Sequence, residues 1–306
     1  MRFSYLLAPL QVMVPQRLNR VLLSPFTFSP MASLTLSSTV RLNSGYSMPL
    51  LGFGVYQNQN ARPSVLEAFK AGYRHIDSAQ VYENEGAVGE AVKESSIPRD
   101  DLFITTKCHS EKHGYESTLA GVNASLVQFG FDYIDLFLIH DPMSGSERRL
   151  ATYKALLESK AAGKIRTVGV SNYGVHHLEE IKKAGMEMPA VNQIELHPLC
   201  QQKAIVDYCK ANSIVVQAYC PIIRGKMDHP SITSIAEKHK REPAQVLLRW
   251  SLQKGFVPLP KSETPSRIHA NTKLYDFQLD EEDMSALDAM DQGKDGAISW
   301  NPVNAP

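Results

Sequence analysis

The sequence lacks several features that mark whole classes of protein. Its 32 basic and 32 acidic residues leave a formal net charge of zero, which argues against a general affinity for nucleic acid or for anionic membranes. No apolar run approaches the ~20 residues that a membrane-spanning helix needs. Only 4 of the 306 residues are cysteine, without a Cys-x-x-Cys pair, so a reduced intracellular protein is favoured over a disulfide-bonded secreted one.

Acidic residues are missing from the start of the chain, where the first one is Glu67. Arg2, Arg17 and Arg20 stand in this acid-free stretch, and such a composition is typical of mitochondrial presequences. Two other interpretations stay open, a disordered tail or an overlong start with the real beginning at Met31.

We therefore treat residues 1–31 as a leader or disordered tail and residues 32–306 as one domain. The expected location is cytoplasmic, or mitochondrial if the leader is a presequence.

A glycine-rich dinucleotide-binding turn is also missing. Gly52-Phe53-Gly54 lacks the third glycine of G-x-G-x-x-G and opens no helical pattern, which disfavours a doubly wound sheet. The chain has instead a repeat of short β-rich runs, each followed by a helical pattern. Strands this apolar are typical of parallel sheets covered by helices, and eight such units close into a barrel. The sequence therefore predicts an α/β fold, a (β/α)8 TIM barrel.

The predicted elements follow from hydrophobic periodicity and from turn residues. Strands are expected at residues 50–56, 73–77, 102–107, 133–140, 164–172, 190–196, 214–219 and 256–262. Helices are expected at residues 62–72, 83–95, 114–129, 147–162, 175–184, 201–211, 231–240, 243–254 and 264–272. An N-terminal β-hairpin over residues 35–50 turns at Asn43-Ser44-Gly45, and an extra C-terminal helix over 280–290 precedes an irregular tail.

Four titratable residues fall at or just after the carboxyl ends of neighbouring predicted strands: Asp77, Tyr82, Lys107 and His140. In a barrel these ends form one rim, where active sites lie. A carboxylate keeps a desolvated lysine charged, and the ammonium in turn is expected to lower the pKa of a nearby phenol. Such a phenol can give a proton to a carbonyl oxygen, and a neutral histidine can orient that oxygen.

Each of these residues has a plainer interpretation when it is taken alone. Asp77 can cap the next helix, Lys107 can be solvated, His140 can satisfy a turn, and Tyr82 can pack at the rim. The joint arrangement is what favours a catalytic site. A metal-dependent hydrolase is disfavoured, because Lys107 would repel a cation from His75 and Asp77, and no metal is expected.

Six motifs in the chain resemble those of the aldo-keto reductases. They are HIDSAQVYENEGAVG (75–89), TTK (105–107), DLFLIH (135–140), GVSN (169–172), NQIELHP (192–198) and LPKS (259–262). The similarity runs from about residue 38 to 302, and AQVLLRWSLQKGFVPLPKS looks like the microbial and fungal branch related to 2,5-diketogluconate reductases.

The resemblance implies an NADP(H)-dependent oxidoreductase in which Tyr82 is the general acid, tuned by Asp77 and Lys107, while His140 orients the carbonyl. It implies that Ser171, Asn172 and Gln193 hold the nicotinamide carboxamide and that Tyr219 stacks on its ring. It further implies that the adenosine phosphate of NADPH meets Lys261, Ser262 and Arg267, with Asn271 near the adenine.

Three departures from the family pattern affect these expectations. Glu263 beside Lys261 opposes a phosphate, so NADH is also a possible cofactor. Ala270 stands where many relatives carry glutamate. Tyr56 and His109 fall where relatives commonly have tryptophan; with Trp300 they are expected to line a rather polar substrate pocket.

The expected function is the NADPH-dependent reduction of an aldehyde, ketone or keto-sugar to an alcohol. The alternative is a non-catalytic NADP(H)-binding sensor or channel-associated barrel. The expected partner is a small-molecule carbonyl substrate, with no nucleic acid and no membrane, and the expected assembly is a monomer or weak homodimer.

Overall fold

The computed structural model describes Met1 and residues 34–306. Apart from Met1, the predicted leader or disordered tail at residues 1–31 lies outside the described residues, and so does its boundary at residue 32.

A two-stranded antiparallel hairpin opens the described domain, as predicted. It consists of β1 (Thr39–Arg41) and β2 (Ser47–Pro49). Gly45 in the turn has a φ of +90°, a conformation that glycine adopts without strain. Leu42 and Met48 of the hairpin pack against apolar side chains of the barrel strands, such as Leu136. The hairpin therefore covers one end of the barrel and leaves the other end open.

The main sheet contains eight parallel strands in sequential order within the described residues. They are β3 (Phe53–Gly54), β4 (His75–Asp77), β5 (Phe103–Cys108), β6 (Ile134–Ile139), β7 (Ile165–Ser171), β8 (Val191–Glu195), β9 (Val215–Tyr219) and β10 (Val257–Pro258). The first and last strands also meet, because Gly52 N donates to Pro258 O (3.1 Å) and Gly54 N donates to Pro260 O (3.0 Å). These bonds close the sheet, which confirms the (β/α)8 barrel.

Helices follow the strands around the outside of the barrel. They are α1 (Ala61–Lys70), α2 (Glu85–Ser95), α3 (Tyr115–Phe129), α4 (Ser146–Ala161), α5 (Val175–Lys183), α6 (Lys203–Ala211), α7 (Pro230–His239), α8 (Pro243–Gln253), α9 (Pro265–Ala270) and α10 (Glu281–Asp288). Proline opens α7, α8 and α9, where its missing N–H costs nothing. The extra helix α10 is capped by Asp280, whose Oδ1 accepts from Asp283 N (2.9 Å).

Most predicted strands lose one or two residues in the structure, but the first and the last lose five each. The runs at residues 50–56 and 256–262 contain only two strand residues each, in β3 and β10. Pro258 and Pro260 have no N–H to donate, so the ladder here uses their carbonyl groups alone. At the seam of the barrel, the carbonyl groups of Pro258 and Pro260 accept hydrogen bonds from Gly52 N and Gly54 N.

Side chains alternate between the two faces of the strands. In β6, Leu136 and Leu138 point to the interior cluster, whereas Phe137 and Ile139 pack against the helices. His75 is fully buried inside, and desolvation lowers its pKa to about 4, so it is neutral near pH 7.

Candidate active site

The open end of the barrel brings Asp77, Lys107 and Tyr82 together. Lys107 Nζ donates to Asp77 Oδ1 (2.6 Å), to the Ser78 carbonyl oxygen (2.8 Å) and to the Tyr82 hydroxyl (3.5 Å). Asp77 ends β4 and Lys107 lies in β5, while Tyr82 stands in a short 3₁₀ turn that follows β4. The ammonium therefore has three acceptors for its three hydrogens, although the side chain is fully buried.

The second oxygen of Asp77 is held as well. Gln193 Nε2 donates to Asp77 Oδ2 (2.8 Å) and to Gln217 Oε1 (2.9 Å). Both carboxylate oxygens thus have a donor, as a buried charge requires. Because both side-chain amide hydrogens of Gln193 are used, only the side-chain oxygen Oε1 has no partner among the described residues and can meet a ligand.

His140 directly follows β6 and lies beside the phenol. The rings of Tyr82 and His140 are 5.6 Å apart between centroids, in an edge-to-face arrangement. His140 Nδ1 is enclosed and has no hydrogen-bond partner among the described residues. Burial lowers the pKa of His140 well below its usual value, and the positive charge of Lys107 adds to this effect. His140 is therefore a neutral imidazole.

The net effect on the Tyr82 phenol is opposite to the one expected from sequence. The pKa of Tyr82 is raised well above its usual value, first by burial and then by the negative charge of Asp77. Burial also lowers the pKa of Lys107, and Asp77 opposes that decrease. Asp77 thus offsets the attraction of the ammonium for a phenolate, and Tyr82 keeps its proton before any ligand binds.

The residues predicted at the nicotinamide lie along one side of the mouth. Ser171 Oγ donates to the main-chain oxygen of Gln193 (2.9 Å), and Asn172 Nδ2 donates to the main-chain oxygen of His140 (3.0 Å). The Tyr219 hydroxyl lies 2.8 Å from Asn172 Oδ1 and 2.9 Å from the Trp300 carbonyl oxygen. These contacts fix the orientation of the Tyr219 ring at the edge of the cavity.

The residues predicted at the adenosine phosphate lie at the start of α9 and just before it. Lys261 Nζ donates to Glu263 Oε1 (2.6 Å), so the ammonium expected to meet a phosphate already has an anionic partner. Arg267 is exposed and has no acidic partner among the described residues, while Asn271 is buried. All predicted cofactor residues line the same cavity of about 1110 Å³ as Asp77, Tyr82 and His140.

The three residues predicted for the substrate pocket lie around Tyr82 and His140. The ring centroids of Tyr56 and Tyr82 are 5.0 Å apart, and those of His109 and His140 are 6.0 Å apart. The ring centroids of Trp300 and His109 are 6.2 Å apart. The structure therefore places Tyr56, His109 and Trp300 around the point where Tyr82 and His140 meet.

Sequence reasoning missed the residues that hold the C-terminal tail over this pocket. Glu195 Oε1 accepts from Ile298 N (2.6 Å), and Oε2 accepts from Ser299 N (3.2 Å). His197 Nε2 lies 2.9 Å from Glu195 Oε1, and both side chains are fully buried. The sequence signal was present, since Glu195 and His197 stand in the NQIELHP motif, but it was used only for Gln193.

Two other kinds of site are not indicated. Among residues 34–306 no group of histidine, cysteine, aspartate and glutamate side chains is arranged to hold a metal ion. Within the same described part of the chain, no helix combines the length and apolarity that crossing a membrane requires.

Comparison with known proteins places this barrel among the oxidoreductases that act on carbonyl groups. The model of the Aldo/keto reductase family matches residues 41–292, and the chain belongs to that family. Glyoxal reductase of Bacillus subtilis is 46% identical over 272 residues, covering 88% of this chain and 97% of the relative.

Solved structures agree with this assignment. The aldo-keto reductase MGS-M4, from a deep-sea metagenome library, has a TM-score of 0.84 at 40% identity and covers 88% of this chain and 100% of its own. An aldo-keto reductase of Bombyx mori in complex with NADP has a TM-score of 0.81 at 30% identity, covering 89% and 99% of the two chains.

Proposed function

We propose that the protein reduces the carbonyl group of an aldehyde, ketone or keto-sugar to an alcohol with NADPH, and that Tyr82 is the general acid. The observation that carries the proposal is the contact of Lys107 Nζ with both Asp77 Oδ1 (2.6 Å) and the Tyr82 hydroxyl (3.5 Å) at the mouth of the cavity. Bound NADPH supplies a hydride to the carbonyl carbon. The chain holds the carbonyl group and gives a proton to its oxygen.

Tyr82 suits this task because it carries its proton until it is needed. The raised pKa keeps the phenol neutral while the substrate binds. When the carbonyl oxygen gains negative charge, its basicity increases and it takes the hydroxyl proton. The ammonium of Lys107 then stabilises the phenolate that is left, and Asp77 keeps that ammonium charged in its buried position.

His140 is suited to orient the carbonyl oxygen. It is neutral, and its ring lies edge-to-face with Tyr82. A neutral imidazole donates one hydrogen bond without adding a second charge near Lys107. The oxygen held between Tyr82 and His140 is thereby placed for proton transfer.

The residues beside Tyr82 and His140 fit the nicotinamide end of NADPH. The side-chain oxygen Oε1 of Gln193 suits the amide hydrogens of a carboxamide, since both hydrogens of its own side-chain amide are engaged. Ser171 and Asn172 provide further polar atoms, and Tyr219 presents a ring held by hydrogen bonds for stacking on the nicotinamide.

The other end of the cavity suits an adenosine phosphate. Arg267 is exposed and Lys261 lies nearby, which gives a guanidinium and an ammonium for a 2′-phosphate. Ser262 and Asn271 line the same region and fit the phosphate and the adenine. Glu263 reduces the preference for NADPH over NADH, because its carboxylate already forms an ion pair with Lys261.

Replacement of Glu263 by glutamine should tighten NADPH binding by about three- to tenfold and leave NADH binding nearly unchanged. The substitution removes the anion that pairs with Lys261 at 2.6 Å. Dissociation constants for both cofactors, measured by fluorescence titration at low salt, test this expectation. The gain should shrink as ionic strength rises.

Glu147→Gln is a matched control, because Glu147 is exposed at the start of α4 and does not line the cavity. It should change neither constant. Equal tightening of NADPH and NADH by Glu263→Gln would count against the assigned phosphate site.

Oxidation of NADPH in the presence of a carbonyl panel tests the proposed function itself. The panel should contain aldehydes, ketones and keto-sugars, together with glyoxal and methylglyoxal. Turnover of at least one member at a rate above ~1 s⁻¹ is expected for an enzyme. Tight NADPH binding without turnover of any member would favour the non-catalytic sensor instead.

A further inference from the structure

A chain of hydrogen-bonded polar side chains leads from Asp77 into the interior of the barrel. Its first member is Gln193, whose Nε2 donates to Asp77 Oδ2 and to Gln217 Oε1 (2.9 Å). Gln217 lies in β9, is fully buried and does not line the cavity. Branched apolar side chains are usual in the interior of such barrels, and a buried amide costs free energy unless its groups are paired. Sequence reasoning gave Gln217 no role.

His75 is the fixed end of this chain. Burial lowers its pKa to about 4, so the imidazole is neutral near pH 7 and carries one hydrogen. Its Nδ1 lies 3.4 Å from the Pro49 carbonyl oxygen, which can only accept, so the hydrogen is on Nδ1 and Nε2 is an acceptor. Gly52 leaves room for the ring, since a Cβ at that position would lie 2.8 Å from His75 Nδ1. The imidazole therefore presents an acceptor to the barrel interior.

The side-chain amide of Gln217 has one orientation that satisfies these neighbours. Its Nε2 lies 3.4 Å from His75 Nε2 and 3.2 Å from Met48 Sδ, and both of these atoms can accept. A turned amide would set an oxygen against the His75 acceptor and would set its N–H groups against those of Gln193. The oxygen of Gln217 is therefore held toward Gln193.

The orientation of Gln217 in turn decides that of Gln193. Because Asp77 Oδ2 and Gln217 Oε1 take the two Nε2 hydrogens of Gln193, its own Oε1 is left for a ligand in the cavity. Without an acceptor at position 217, one of these hydrogens would lose its partner inside the barrel. The amide of Gln193 would then no longer be held in one orientation.

We propose that Gln217 is a positioning residue that holds the Gln193 amide with its oxygen toward the carboxamide of the nicotinamide. Gln217 acts through Gln193 and lies outside the wall of the cavity. This inference rests on the proposed function and deepens it, because Gln193 is the residue proposed to meet the carboxamide.

Two dinucleotides that differ only at the carboxamide test the inference without any turnover. NADP⁺ presents amide hydrogens to Gln193, whereas 3-acetylpyridine adenine dinucleotide phosphate carries a methyl group in place of the amide nitrogen. In wild type, the dissociation constants should favour NADP⁺. In Gln217→Met this preference should fall by about three- to tenfold, because the hydrogen bond from the carboxamide to Gln193 is weakened or lost. Fluorescence titration measures both constants.

Three controls separate positioning from a general effect on the fold. Gln217→Glu should keep the preference, because its carboxyl group still accepts from Gln193 Nε2. Val257 pairs with Gln217 in register and is buried in the same barrel interior, so Val257→Ala should lower stability and leave the preference unchanged. Adenosine 2′,5′-bisphosphate lacks the nicotinamide and should bind to wild type and to every variant with nearly the same affinity.

An unchanged preference in Gln217→Met overturns the inference, and so does an equally large loss in Gln217→Glu or in Val257→Ala. If Gln217→Met does not fold, Gln217→Val replaces it, because a β-branched side chain suits a barrel strand, and an unchanged preference in that variant overturns the inference. Wild type that binds the two dinucleotides equally would contradict the proposed nicotinamide site, and the inference with it. Wild type that prefers NADP⁺ but turns over no carbonyl contradicts only the proposed catalysis.

Discussion

Replacement of Tyr82 by phenylalanine should lower kcat/KM for carbonyl reduction by about 10²–10⁴-fold. The substitution removes one oxygen atom, the one that lies 3.5 Å from Lys107 Nζ. The ring remains, so its packing against Tyr56 and His140 should be kept. Since the lost group acts on the substrate oxygen, the decrease should appear mainly in kcat, and the dissociation constant of NADPH should stay within about twofold of wild type.

Tyr56→Phe is the matched control for this experiment. Tyr56 contributes a second phenol at the same mouth, with its ring only 5.0 Å from that of Tyr82, but Lys107 does not bond to it. The Tyr56→Phe variant should keep kcat within about tenfold of wild type. If the two variants lose activity equally, the loss is explained by a change in pocket shape and not by removal of the Tyr82 hydroxyl.

Replacement of Lys107 by methionine should lower both activity and stability. The side chain is fully buried, and its loss leaves Asp77 with Gln193 as its remaining side-chain donor. Removing one partner of a buried ion pair costs about 3–5 kcal/mol in the free energy of unfolding. Activity should fall by at least ~10²-fold, because the Tyr82 phenolate loses its stabilising charge. Guanidinium denaturation and steady-state kinetics measure the two effects.

The double variant Asp77→Asn with Lys107→Met separates these effects. Because both charges are gone, the double variant should regain a large part of the free energy of unfolding that Lys107→Met loses. Its activity should stay low. Lys93→Met, at an exposed position of α2, should change stability by no more than ~0.5 kcal/mol. A Lys107→Met protein as stable as wild type would contradict the stabilising role of the Asp77–Lys107 ion pair.

Much of the architecture could be predicted because each strand is short, apolar and followed by a helical pattern. The same periodicity put Asp77, Lys107 and His140 at the carboxyl ends of adjacent strands, and parallel strands bring such ends to one rim. The limits of β3 and β10 could not be read in this way, because their pairing depends on carbonyl groups of Pro258 and Pro260 that bond across the seam.

Other features depend on three-dimensional surroundings that spacing does not record. The pKa of Tyr82 is set by burial and by the balance of Asp77 against Lys107, and sequence reasoning counted only the ammonium. The link between Glu195 and residues 298–299 joins parts of the chain more than a hundred positions apart, which no local pattern indicates. His109 Nε2 and Asp141 Oδ2 likewise come within 3.7 Å of each other only because the ends of β5 and β6 lie side by side.

A single-turnover experiment tests the central claim most directly. The NADPH complexes of wild type, Tyr82→Phe and Tyr56→Phe are mixed rapidly with the best carbonyl substrate of the panel, and oxidation of NADPH is followed. Oxidation in the Tyr82→Phe complex should be slower than wild type by at least ~100-fold, while Tyr56→Phe stays close to wild type. Oxidation in the Tyr82→Phe complex at a rate near wild type would show that the proton comes from another group.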